Sequence, residues 1–366
     1  QSSCNKDFSC LKGFCPSFVT VEGGRLKKGK AAAVSVPQLP APEVPALPAG
    51  RGYGIVITGV GGTGVVTIGQ LLGMAAHIEG RGCSVLDMAG LAQKGGAVFS
   101  HVRIAPRPED LYATRIAMNE ADLVLGCDLI TAASNEALSK VHAGRTKAVL
   151  NTAESPTAEF VRNPDWQSGA AAMLAQLREA VGVDANAAAV DATGLATALL
   201  GDGIYTNPFV LGFAWQKGWI PLACETLLRA IELNGVAIEA NKRAFEWGRA
   251  AAHDPDAVKR AASGGTAAQV IELKRAPSLE EIVARRAEFL TGYQNAAYAQ
   301  RYRELVERVR KVESDRLQSS RLAETVARYY FKLLAIKDEY EVARLHSDPA
   351  FRDRIAAMFE GDYKLN

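Results

Sequence analysis

The sequence predicts an α/β protein with a doubly wound, mostly parallel sheet, a helical extension after it and a short cysteine-bearing stretch before it. Three observations predict this. Short apolar runs alternate with segments of helical spacing from Gly54 to Leu200. The first run turns straight into a glycine-rich loop that opens a helix. From Asp254 onward strand signals vanish and charged, amphipathic segments take over.

The opening unit organises the rest. Gly54–Thr58 reads as a strand, and from Thr63 the apolar residues Val65, Val66, Ile68, Leu71, Leu72, Ala75 and Ala76 recur at helical steps. Between them Gly59, Gly61 and Gly64 fall on G-x-G-x-x-G, with Gly62 and the small Thr63 filling the gap. Side chains at such positions would keep a phosphate from the backbone, whose helix-start amides supply donors and partial positive charge. The alternative is a tight β-to-α turn that holds nothing.

Further strands are expected at Ser84–Asp87, Val98–Ile104, Leu123–Cys127, Ala148–Asn151 and Ala188–Asp191, with helices at Ile130–His142, Ala170–Val181 and Gly194–Leu200. This is a Rossmann-like alternation, with ligands expected at the carboxyl ends of the strands. Asn207–Gly218, Leu222–Leu233 and Ala237–Ala252 read as helices closing the domain, and Leu279–Thr291, Ala296–Asp315 and Arg321–Ala343 as helices of the extension. The tyrosines of the extension are expected to pack rather than react. The expected organisation is 1–30, a cysteine segment; 31–50, a linker whose five prolines favour an extended strap; 51–253, the α/β domain; and 254–366, the helical extension.

A net charge of +2 gives no reason to expect nucleic acid or an acidic membrane surface as partner. No apolar run reaches the roughly 18 residues that span a bilayer. Nothing suggests secretion, so a cytoplasmic protein is expected. Gln1-Ser2-Ser3 reads as a cut in a longer polypeptide.

Cysteine placement is uneven. Cys83, Cys127 and Cys224 sit singly in apolar surroundings, as buried small hydrophobes do. Cys4, Cys10 and Cys15 crowd the amino end as C-x5-C-x4-C-P, with Lys6 and Lys12 between the sulfurs. Cys15-Pro16 matches the close of a ferredoxin run, which favours iron–sulfur ligation with a further ligand upstream. Zinc is the weaker alternative for want of a C-x2-C pair, as are disulfides for want of secretion.

Three classes of function fit these residues. Asp87 ends the second strand, where a dinucleotide-binding dehydrogenase places its ribose carboxylate, so a nicotinamide- or flavin-dependent oxidoreductase is one. Against it, His77, His101, His142 and His253 lack a carboxylate or nucleophile companion in the sequence, and a lone strand histidine such as His101 is usually structural. A non-catalytic docking module with an empty turn is another. The third rests on a resemblance.

GVGGTGVVTIGQLLGMAA, followed by AQKGGAVFSHVRIA, resembles the gamma domain of 2-oxoacid:ferredoxin oxidoreductases, with the Lys94-Gly95-Gly96 loop and the strand ending His101-Val102-Arg103. TNPFVLGFAWQKGWIPL resembles that domain's closing helices, and Ser3–Gly24 the end of the iron–sulfur region in fused bacterial indolepyruvate ferredoxin oxidoreductases. The likeness spans about Ser3–Asp254. It implies oxidation of an aryl 2-oxoacid such as indolepyruvate, with coenzyme A, to acyl-CoA and CO2, electrons passing to ferredoxin. It also implies thiamine diphosphate with Mg held upstream, 4Fe-4S clusters with Cys4, Cys10 and Cys15 as ligands, and a homo-oligomer. Coenzyme A is the implied occupant of Gly59, Gly61, Gly62, Thr63 and Gly64, with Lys94 and Arg103 as cations facing its phosphates or the substrate carboxylate and Asp87 against ribose hydroxyls. One departure is plain: the C-x2-C-x2-C spacing of a full ferredoxin repeat is missing.

Overall fold

A computed structural model describes residues 19–26, 39–89, 96–153, 169–263, 277–336 and 338–366. The chain divides into two compact units, one of residues 28–155 and 168–269, the other of residues 1–27, 156–167 and 270–366. Two short strands, β1 (Val21–Glu22) and β2 (Arg25–Leu26), belong to the second unit.

The larger unit is built on a six-stranded sheet. β3 (Tyr53–Val60) enters the helix α1 (Val65–Ile78), followed by β4 (Gly82–Ala89), β5 (Ala97–Ala105), β6 (Leu123–Gly126), β7 (Lys147–Asn151) and β8 (Ala187–Val190). The strand order is β4-β5-β3-β6-β7-β8. β5 runs antiparallel to both neighbours, while β3, β6, β7 and β8 pair in parallel. The fold is therefore α/β with a mostly parallel, doubly wound sheet. β3 is an apolar run because it is covered on both faces. Ile55 and Ile57 join Val102, Leu123 and Leu125 beneath α1 and the closing helices, while Val56, Phe99, Val124 and Leu150 pack against the helices of the other face.

The expected helix Ile130–His142 is instead two four-residue helices, Leu129–Ala132 and Asn135–Leu138. The cause is local. Asp128 caps the first by accepting from the Thr131 N–H at 2.8 Å, and Ser134 caps the second. The expected Ala188–Asp191 strand ends one residue sooner, because Asp191 caps the helix Ala192–Leu200. A helix unforeseen from the sequence, Pro255–Ala262, is capped by Asp254 and buries Val258 in the same core.

The closing helices Thr206–Gln216 and Ile238–His253 cross at two glycines. A Cβ on Gly212 would lie 1.9 Å from the Phe245 carbonyl oxygen, and one on Gly248 would lie 1.9 Å from that of Phe209. The backbones touch, so no larger residue fits either position.

His101, on β5, is fully buried; its Nδ1 accepts from the Ile116 N–H at 3.2 Å, which makes the ring the neutral Nε2–H tautomer. Burial first, then the charges of Lys140 and Arg115, hold its pKa down to about 4. The unfolded chain takes up this proton near pH 6.5 and the folded chain only near 4, so folding stability is complete above about 6.5 and is lost as the pH falls through that window. Chemical denaturation at pH 5 and pH 7.5 should differ by about 2 kcal/mol more in the native protein than in His101→Phe. Equal pH dependence in the two proteins would refute this account.

In the second unit, helices Leu279–Tyr293, Ala296–Leu317 and Arg321–Leu334 share a core of Ile282, Leu290, Tyr302, Val306, Ala327 and Phe331. The expected Arg321–Ala343 helix stops at Leu334, and Asp338 caps a separate helix, Glu339–Ser347. Helix Pro349–Met358 then leads into β9 (Phe359–Glu360) and β10 (Lys364–Leu365). Tyr293, Tyr298, Tyr302 and Tyr330 take part in aromatic stacking, and Tyr302 also donates to the Ala327 carbonyl, so these four pack as expected, whereas Tyr329 is exposed.

Candidate functional site

The glycine turn stands at the carboxyl end of the central strand, where chain direction around the sheet reverses. α1 leaves β3 over one face, and the chain leaves β6 for the other. Open α/β sheets bind ligands in the crevice such a reversal creates. The two strand exits touch, since a Cβ on Gly59 would lie 3.4 Å from Cys127 Cβ.

Each predicted turn residue has its own task. Gly59 is required by packing, because a Cβ there would lie 2.5 Å from Val65 Cγ2. Gly61 donates its N–H to the Gly96 carbonyl at 2.8 Å, which ties the turn to the residue just before β5. Thr63 spends both its N–H and its hydroxyl on the Val60 carbonyl, at 3.2 and 2.7 Å, which closes the turn. Gly62 and Gly64 adopt φ of +87° and +90°, a conformation that other residues enter only under strain. Among the described residues neither N–H of these two glycines has an acceptor. The first amides of α1 likewise have no intrahelical partners, by helix geometry.

A cleft of about 310 Å³ opens on this turn. Its walls include Thr67, Ile68 and Leu71 of α1, Tyr205 and Asn207 before and within the first closing helix, and Val236, Ala237 and Asn241 at the start of the third. Among the described residues its lining carries no charged side chain. Among the described residues, what would meet an anion there is amide dipoles and the helix N-terminus. Ala237 sits at φ +44°, a strained conformation for alanine at the lip of this cleft.

Two asparagines outside the sequence prediction organise the site. Buried Asn207 donates to the Thr63 carbonyl at 2.7 Å, tying the closing helix to the turn and occupying an oxygen that would otherwise repel an anion. Buried Asn151, at the end of β7, donates to the Cys127 carbonyl and the Thr193 hydroxyl and accepts from the Ala192 N–H. It links the exits of β6, β7 and β8. The usable signal for both was an asparagine beside a predicted element end, which by itself is too common to single out.

Of the other predicted residues, Arg103 and Asp87 are not brought to the turn. Arg103 pairs in register with Gly54, about 20 Å along β3 from Val60. There its guanidinium is spent on Glu120 and the Arg115 carbonyl. At that distance Arg103 does not reach a phosphate held at the turn. Asp87 is level with Ile57 but on edge strand β4, with β5 between, about 10 Å away. The antiparallel insertion of β5 removes it from the neighbouring position that a ribose carboxylate holds beside the first strand of a dinucleotide fold. Lys94, Cys4, Cys10 and Cys15 lie outside the described residues.

Among the described residues no group of three His, Cys, Asp or Glu is placed to hold a metal. Cys83, Cys127 and Cys224 are free thiols, and burial pushes their pKa values up to about 11, 12 and 11. They are inert packing residues, as their apolar sequence context suggested. Among the described residues no donor set fits an iron–sulfur cluster.

Comparison with known proteins decides the family. Residues 54–251, more than half the chain, match the family described as pyruvate ferredoxin/flavodoxin oxidoreductase. The chain belongs to that family. Residues 279–366 match a family of unknown function. The indolepyruvate oxidoreductase subunit IorB of Pyrococcus horikoshii is 30% identical over 208 residues, covering 55% of this chain and 96% of the relative. The subunit of the same name from Methanothermobacter thermautotrophicus is 29% identical over 202 residues, 55% of this chain and 97% of its own length. Among solved structures, pyruvate oxidoreductase subunit PORC from Thermotoga maritima is similar with a TM-score of 0.39 and 22% identity, over 54% of this chain and 96% of that one. The 2-oxoglutarate:ferredoxin oxidoreductase of Magnetococcus marinus, solved with 2-oxoglutarate, coenzyme A and succinyl-CoA, is similar with a TM-score of 0.40 and 15% identity, over 69% of this chain and 41% of that one. The chain is thus an IorB-like part of a 2-oxoacid:ferredoxin oxidoreductase. No helix among the described residues is long and apolar enough to cross a membrane.

Proposed function

We propose that this chain forms the gamma-type part of an enzyme that oxidises an aryl 2-oxoacid of the indolepyruvate kind, and that its glycine-turn cleft holds coenzyme A by the diphosphate. The carrying observation is the set of unpartnered amides at Gly62 and Gly64, beside the start of α1, at a cleft lined, among the described residues, by neutral side chains. A diphosphate needs several convergent donors, and backbone amides that are already fixed lose little entropy on binding. Asn207 holds the turn in the donating conformation, and Tyr205, Asn234 and Asn241 offer polar contacts for the remainder of a nucleotide. Family membership and the indolepyruvate names of the relatives support the oxoacid class. In this reading Cys4, Cys10 and Cys15 belong to an iron–sulfur segment, thiamine diphosphate with Mg is bound by an upstream part, ferredoxin takes the electrons, and Lys94 is a cation for the coenzyme A phosphates or the substrate carboxylate. The complete enzyme is read as a cytoplasmic homo-oligomer.

A thermal-shift titration tests the occupant. Coenzyme A at a hundred times its dissociation constant should stabilise the larger unit by about 2.7 kcal/mol, and NAD should not. Stabilisation by NAD with none from coenzyme A would replace this reading with a nicotinamide oxidoreductase.

A further inference from the structure

The last eight residues of the chain seize a segment from its beginning. β1 pairs antiparallel with β10, Val21 opposite Leu365 and Glu22 opposite Lys364. β2 pairs with β9, Arg25 opposite Glu360 and Leu26 opposite Phe359. Thr20 and Asn366 close the end by exchanging backbone hydrogen bonds of 2.9 and 3.1 Å. Between the two ladders Gly23 and Gly24 face three residues, Gly361, Asp362 and Tyr363, so the pairing kinks at a bulge and its register cannot slide. Gly23 and Gly361, at φ +80° and +94°, make that kink. A Cβ on Gly24 would lie 3.0 Å from the Tyr363 Cβ, so the tyrosine closes over bare backbone.

Charge favours the same antiparallel direction. Both polar pairs are opposite in sign and opposite in direction, Glu22 with Lys364 and Arg25 with Glu360, so a parallel arrangement would set like charges together. The receiving strands are tied back to the helices of their own unit. The His346 ring stacks on Phe351 at 5.4 Å, and the Arg344 guanidinium lies 5.6 Å over Phe289 of helix Leu279–Tyr293.

We infer that residues 279–366, the region matching a family of unknown function, act as a clasp that binds Thr20–Leu26 by strand addition and so anchors the cysteine-bearing amino-terminal segment to the helical unit. The captured strand lies outside the region's own family match and follows Cys15 by only a few residues. Strands of two residues have little stability alone, so each side is ordered by the other. The clasp does not depend on what the cysteines bind, and it can stand or fall apart from the proposed function.

Hydrogen exchange on the full chain tests it. Amides of Thr20–Leu26 and Phe359–Leu365 should exchange together, well below the free-chain rate. Reversing both charges on one side, Glu22→Lys with Arg25→Glu, should cut the protection of Thr20–Leu26 roughly tenfold. Adding Lys364→Glu and Glu360→Lys should restore it, while helices Leu279–Leu334 exchange as in the native chain throughout. Deleting residues 359–366 should expose Thr20–Leu26 fully. Free-chain exchange in the native protein, no effect of the reversal, or failure of the fourfold variant to rescue would each overturn the clasp. So would loss of protection in the helices together with the segment, which would make the segment part of their folding core.

Discussion

Gly248→Ala is expected to destabilise the larger unit by about 3 kcal/mol or more. The added methyl would sit 1.9 Å from the Phe209 carbonyl oxygen, on backbone rather than on a side chain that could swing aside. Helices Thr206–Gln216 and Ile238–His253 would have to separate, and the partner contact at Gly212 against Phe245 would open with them. Between these helices lie Phe209, Phe213, Trp215, Phe245 and Trp247, all buried, so separation also opens cavities in the main core. For a unit of this size the melting temperature should fall by about 10 °C, and Gly212→Ala should do the same. A melting temperature within a degree or two of the native value would show that the helices are not in backbone contact. Because helix Thr206–Gln216 carries Asn207, which holds the Thr63 carbonyl, the separation should also loosen the glycine turn.

The second large effect is expected in binding. Gly62→Val places a β-branched side chain at φ +87°, in a direction where a Cβ meets nothing within 4 Å. The turn is strained by about 1–2 kcal/mol, and the branches project beside unpartnered amides that would serve a diphosphate. Loss of two hydrogen bonds to a charged group, about 3 kcal/mol in all, corresponds to a roughly hundredfold rise in the dissociation constant for coenzyme A. Calorimetric titration of the folded variant measures it. Native affinity in a folded Gly62→Val protein would remove the turn from the binding site. Gly59→Ala makes a useful contrast, because its methyl would strike Val65 Cγ2 at 2.5 Å and its effect should appear in stability first.

Much of the architecture was readable from periodicity. The apolar runs of β3, β6 and β7 and the amphipathic helices 170–181 and 279–293 declare themselves, because strand and helix bury their apolar residues with different repeats. The breaks were harder to read. Ser134 and Asp338 interrupt apolar spacing that would suit one continuous helix, and each acts by capping, which depends on a single backbone conformation. The glycine turn was recognised as a motif, yet the spacing could not say that Thr63 and Gly61 spend their donors inside the turn while Gly62 and Gly64 keep theirs free.

Local chemistry along the chain was enough to determine an α/β sheet protein with a glycine turn after its first central strand, because glycine, apolar repeats and helix starts act over a few residues. Only the tertiary structure decided which distant residues meet that turn. The antiparallel strand β5 between β3 and β4 carries Asp87 away, the register of Arg103 with Gly54 puts it at the far end of the sheet, and the crossing at Gly212 and Gly248 brings Asn207 in. Strand order and helix crossing are set by long-range packing, and that leaves no periodic mark on the sequence that produces it.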